Sequence, residues 1–142
     1  MAGLETDVAT YLAAIPALSL TAGTNVFDVI FPESAQDQAV TVVETPGSPD
    51  DHAAGASLSR PLYETARFQV IVRDVPANAN AARALARSIR LNLNRLADTT
   101  IGDTRVLTCS SLQRPFPLPG DKNDRVRYIT NFEMKLVAVG ST

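Results

Sequence analysis

The 142-residue chain has no tryptophan, one cysteine and one histidine, and not a single lysine or arginine before residue 60. Each scarcity removes a class of explanation. With Cys109 alone there is no internal disulfide, so the fold does not rely on oxidation and suits a reducing compartment. With His52 alone, any Ser-His or Cys-His couple must use a residue set in a stretch of proline, glycine and serine. No apolar run approaches the roughly 20 residues of a membrane span, so no membrane partner is expected. Tyr11–Leu20 comes nearest to a signal-peptide core, but Glu5 and Asp7 precede it where a signal carries basic residues, and it reads as structure. The seven glycines are scattered, and none forms a phosphate-cradling loop ahead of a helix.

The residues that could do chemistry are as sparse. Asp50, Asp51 and His52 are adjacent, and adjacent side chains rarely converge on one ion without ligands from elsewhere. Cys109 lies in a strand pattern and reads as a small buried hydrophobe. Asp121 and Asp124 belong to PGDKND, which is turn chemistry. The expectation is a protein that is not an enzyme and holds no cofactor or metal. A small hydrolase or nuclease built on Asp50, Asp51 and His52 is the remote alternative.

What the chain does have is charge divided by position. Residues 1–59 hold eight acids (Glu5, Asp7, Asp28, Glu33, Asp37, Glu44, Asp50 and Asp51) and no base; from Arg60 onward thirteen bases face seven acids. The halves therefore carry −8 and +6, within a net charge of −2. Eleven of the bases are arginine, the residue suited to paired hydrogen bonds with carboxylates. Either the halves neutralise each other within one domain, or they form surfaces that meet different neighbours.

The length fits one domain, 1–142. Its organising stretch is Leu62–Leu96. Ala66, Phe68, Val70 and Val72 alternate with Arg67, Gln69, Ile71 and Arg73, the period of a strand with one buried face. Asp74-Val75-Pro76 breaks the strand, and Asn78 or Asn80 can cap the helix that follows. Ala82, Leu85, Ile89, Leu93 and Leu96 then form one apolar stripe at helical spacing. Arg83, Arg87 and Arg90 lie opposite that stripe. They could track phosphates, but a sequence pI near 5.3 and the lack of interleaved aromatics favour a solvated or subunit-facing surface.

Around this unit the pattern predicts a first helix over Leu4–Leu18, ended or kinked by Pro16. A strand is expected over Val26–Phe31, with Phe27, Val29 and Phe31 facing one way, and another over Ala39–Thr45. A long mobile loop covers 46–60, a linker turning at Gly102 covers 97–103, and a strand covers Arg105–Leu112. A proline-rich connection over 113–124 can join a sheet only at an edge, and the last strand covers Val126–Val139. The expected fold is α+β in the order α-β-β-β-α-β-β, a mostly antiparallel sheet of four to five strands with two helices on one face. The opposite face carries Ile71, Ile129, Val137 and Val139, partly apolar as a subunit interface would be.

RPLYETARFQVIVRD, a helix of the AARALARSIRLNLNRL type, a proline-containing connection and a final RYITNFEMKL strand together resemble the tail terminator proteins of long-tailed bacteriophages, also described as minor capsid or tail completion proteins. The resemblance spans about residues 4–138 and carries no catalytic signature. It implies a virion protein of the tail-neck region, assembled in the host cytoplasm. Such a protein forms a hexameric ring with itself, caps the tail tube protein, stops polymerisation and offers a surface to the head connector or stopper protein, with DNA only passing through the channel. Another neck component, a stopper or joining protein, is the neighbouring alternative, with 46–60 as a channel-plugging loop. The residues expected at a subunit or partner interface are Arg83, Arg87, Arg90, Ile71, Val137, Asp50, Asp51 and Arg60.

Overall fold

The structure is a computed structural model that describes residues 3–28, 37–51, 63–118 and 124–137. Its centre is the predicted strand-to-helix unit. Strand β3 (Tyr63–Asp74) buries Phe68, Val70 and Val72 on one face, and helix α2 (Ala79–Leu93) buries Ala82, Ala86, Ile89 and Leu93 against them. The turn between them is held by Asp74, whose Oδ1 accepts from the Val75 backbone N–H at 2.7 Å and from the Asn78 side-chain amide at 3.4 Å. Asn78 does occupy the position before α2, but its amide is turned to Asp74 and makes no cap bond.

β3 pairs antiparallel with β7 (Val126–Val137) along its whole length, from Tyr63 opposite Val137 to Asp74 opposite Val126. Phe68 and Phe132 are cross-strand neighbours in that register, both fully buried, with rings stacked at 5.2 Å and 11°. Tyr128, Thr130, Phe132, Met134 and Leu136 all fall on the helix side, as the alternation predicts.

The sheet has seven strands rather than the four or five expected, and it is mixed. β1 (Val26–Asp28) runs parallel to β2 (Ala39–Asp51), which pairs antiparallel with β3. Within β1 it is Val26 that is buried and Phe27 only partly so; Val29 and Phe31 lie outside the described residues. β4 (Ala97–Ile101) occupies most of the expected linker and pairs with β5 (Thr104–Ser111). Its composition hid it: as an edge strand it buries only Ile101, so ADTTI shows no apolar alternation. Gly102 makes the tight turn at φ +54°. β6 (Phe116–Leu118) pairs with β7 residues 127–129, beyond the 132–136 stretch that β5 uses, and so sits on an edge where Pro117 is tolerated.

β2 also runs further than expected. The stretch 46–51 read as loop because it holds Pro46, Gly47 and Pro49. The pairing with β3 instead continues through Ser48 and Asp51, with irregularities between Thr45 and Ser48 and between Ser48 and Asp51. Each irregularity contains one proline, so the residue that cannot donate falls where the ladder is already interrupted. The rest of that expected loop, 52–60, lies outside the described residues.

Helix α1 (Leu4–Ala13) stops short of Pro16, which lacks the N–H and disfavours helical geometry at Ile15 (ψ 108°); a 3-10 turn over Pro16–Leu18 follows. Leu4, Val8 and Leu12 join the same apolar cluster as α2 and the inner sheet face. The Tyr11 hydroxyl reaches the Asn92 carbonyl at 3.5 Å. α1 packs on β1 and β2 at one end of the sheet, and through Asp7, which accepts from the Thr104 hydroxyl at 2.6 Å, it also reaches the β4–β5 turn at the other. The sheet thus curls around its helices.

Candidate assembly surface

The arginine stripe is in place and has company that its sequence spacing did not show. Arg83, Arg87 and Arg90 of α2 line a groove of about 510 Å³ together with Leu91, Arg114, Pro115, Pro117 and Tyr128. The groove forms because the proline-rich run after β5 extends beside the helix before joining β7 as β6. Arg83 lies over the Tyr128 ring, 5.6 Å from its centroid. Arg90 donates through Nε to the Ser111 hydroxyl at 2.8 Å, and Asn94 bonds the same serine at both its hydroxyl (3.1 Å) and its backbone N–H (2.7 Å), fixing the end of α2 to β5.

Among the described residues no carboxylate forms an ion pair with these four cations. The ion pairs among the described residues are Arg67–Glu133, Arg105–Asp98 and Arg125–Asp37. Leu91, 58% exposed, lies in the groove, and Leu112, 50% exposed, lies two residues before Arg114. These are the two large exposed hydrophobics among the described residues. A surface that is cationic and apolar together suits a protein partner better than a bare phosphate chain.

A second, oppositely charged corner was not foreseen as a cluster. Glu44 of β2, Glu5 of α1 and Glu64 of β3 lie close enough that the pKa of Glu44 rises above its ordinary 4.5, through desolvation first and then repulsion from Glu5 and Glu64. Asp28 of β1 accepts at 2.6 Å from the hydroxyl of Thr6, the residue after Glu5. The count of acids in the first 59 residues hinted at Glu5, Asp28 and Glu44 but not at Glu64, and their convergence needs the tertiary fold.

The other expected interface residues scatter. Ile71 and Val137 are half-buried on the sheet face away from the helices. Ile129, expected to be open on that face, is buried, with Ile71 and Phe116 as its register neighbours. The Arg67–Glu133 pair, bonded at 2.9 and 3.1 Å, shares that face, which is therefore more polar and better covered than the alternation implies. Asp50 and Asp51 stand at the far end of β2. Arg60, His52 and Val139 lie outside the described residues.

Among the described residues no three His, Cys, Asp or Glu side chains cluster as metal ligands, and no helix is long and apolar enough to cross a membrane. Cys109 is buried in β5 with its thiol pushed up to about 12 by desolvation, the opposite of an activated nucleophile.

Among the described residues, then, the feature that stands out is a charged, partly apolar surface on a small curled sheet. The profile of the bacteriophage tail terminator protein family matches residues 17–138, and the chain belongs to that family. It is thus a structural component of a phage-type tail. Among solved structures, a chain from the virion of a native gene transfer agent particle is similar over 95% of both chains, at 22% identity and a TM-score of 0.65. A second solved chain is similar over 93% of this chain and 96% of its own, at 17% identity and a TM-score of 0.51. These two likenesses establish the fold. No curated protein matches the chain.

Proposed function

We propose that the chain is the tail terminator itself: a ring of identical copies that caps the finished tail tube, stops its polymerisation and presents a joining surface to the head connector or stopper protein. The supporting observation is the arginine groove on α2, without an ion-pair partner among the described residues, in a member of this family. Four arginines with no carboxylate partner among the described residues, set around an exposed leucine, suit a protein assembled from repeated copies better than a lone monomer. The ring sits at the neck of the virion, assembled in the host cytoplasm, with DNA passing through its channel. The chemistry is association, and no residue acts as a catalyst. The test is image averaging of the upper end of tails carrying the protein. A six-fold ring of this chain between tube and connector is expected; absence of the protein there, or two-fold symmetry, refutes the reading.

A further inference from the structure

The two surfaces, neither of which has an ion-pair partner among the described residues, stand at different ends of the same sheet. The groove is anchored at Tyr128, which faces Val72 in the β3–β7 register, and Glu64 lies eight residues back along β3. At about 3.4 Å per residue that is about 27 Å of strand. The nearer end of the groove, where Arg90 bonds Ser111, is level with Phe132 and hence with Phe68, four residues or about 14 Å from Glu64. It also lies across β7 from the acidic side of the sheet. Both separations exceed the screening length of about 8 Å at physiological salt. The arginines and the acidic corner therefore do not neutralise each other within one chain.

Resting on the ring reading in the one respect that copies meet, we infer that the groove of Arg83, Arg87 and Arg114 receives the Glu5–Glu44–Glu64 corner of a second copy of this chain. Three observations point to that occupant. The corner brings Glu44 of β2, Glu5 of α1 and Glu64 of β3 together, with Glu44 disfavoured as a carboxylate by desolvation first and by its two neighbours next, so a cationic surface complements it. The groove and the corner lie apart on one body, the arrangement of a head-to-tail contact, in which one surface of each copy meets a different surface of the next. The groove also offers Leu91, Pro115 and Pro117 between its cations, contact area that a phosphate chain does not use.

The experiment uses the full chain in three charge variants, imaged on tails and sized in solution. One carries Arg83→Glu, Arg87→Glu and Arg114→Glu; one carries Glu5→Arg, Glu44→Arg and Glu64→Arg; the third carries all six. Arg90 is left alone because it bonds Ser111. Each triple reversal is expected to lower copy–copy association roughly tenfold or more, and the six-fold variant to restore it, since a reversed groove again meets a reversed corner. Circular dichroism and thermal unfolding check each fold. A second measurement does not depend on the combined variant folding: Arg83→Cys with Glu64→Cys in one chain, treated on tails with a short bismaleimide. The two positions are too far apart to link within a chain, and buried Cys109 gives no background. A ladder of linked copies is expected from the double-cysteine chain and none from either single one. Wild-type rings that persist in both triple variants, or that yield no ladder, overturn this inference and leave the ring reading standing. No wild-type ring on tails removes both. Cross-linking to the tube protein instead, or arginine reversal that alters DNA retention but not association, assigns the groove to another occupant and also overturns it.

Discussion

Arg83 of α2 lies over the ring of Tyr128, the buried tyrosine near the start of β7, with its guanidinium carbon 5.6 Å from the centroid. The contact ties the exposed side of the helix to the sheet and fixes one wall of the groove. A double-mutant cycle of Arg83→Ala and Tyr128→Leu, followed by urea unfolding, should give a coupling of about 0.5–1 kcal/mol. Zero coupling would mean the two side chains are merely neighbours.

The stacked pair Phe68–Phe132 holds the two central strands together at mid-length. Both rings are fully buried, so truncation leaves a cavity as well as losing transfer energy. Phe132→Ala is expected to cost about 3–5 kcal/mol, a large part of the 5–15 kcal/mol or so by which a domain is stable. Chemical denaturation should show an earlier midpoint, and a loss under about 1 kcal/mol would contradict the packing described.

The same residues explain what the sequence made legible. Strong alternation in Phe68–Val72 and Tyr128–Leu136, and the stripe Ala82–Leu93, reported the core directly because those faces are dry on one side. β4 and the far end of β2 were illegible for opposite reasons. β4 buries one residue and so lacks a pattern. β2 is paired through a proline-bearing stretch that composition alone assigns to loop. Arg83, Arg87 and Arg90 were visible as a stripe because helical spacing is local. Arg114 joins them from 24 residues beyond Arg90, and Glu5, Glu44 and Glu64 converge from three elements. No local spacing encodes either meeting.

Gly102 offers a check on how α1 is held to the sheet edge. Its φ of +54° strains any L side chain, and a Cβ there would run into the Asp7 carboxylate that accepts from Thr104. Gly102→Ala should therefore destabilise by more than the 1 kcal/mol or so expected from strain alone. Thermal unfolding measures it, and an unchanged midpoint would contradict the close approach of Asp7.

Assembly should depend on salt in a specific way. Going from about 0.1 M to about 1 M salt shortens the screening length from about 10 Å to about 3 Å. Copy–copy association of the wild-type chain, read by sedimentation, should weaken over that range. The six-fold charge-swapped variant should keep the same slope, because its charges are exchanged rather than removed. A wild-type association that does not respond to salt would place the contact on the apolar side chains instead.

Glu44 separates a stability role from an assembly role. Its pKa is raised above the ordinary 4.5 by desolvation and by Glu5 and Glu64, so the folded chain holds the proton more tightly than the unfolded one. The sign follows from linkage: stability rises as pH falls through the raised pKa, and above it the charged carboxylate works against the fold. Glu44→Gln removes that charge while keeping the shape. At neutral pH the isolated variant should unfold at a slightly higher temperature than wild type, and the difference should close as pH falls through the raised pKa towards 4.5. Copy–copy association of the same variant should be weaker at neutral pH, because one carboxylate facing the arginine groove is gone. A side chain kept only for stability would move both measurements in the same direction. If Glu44→Gln stabilises the isolated chain and leaves association untouched, the acidic corner does not enter the groove.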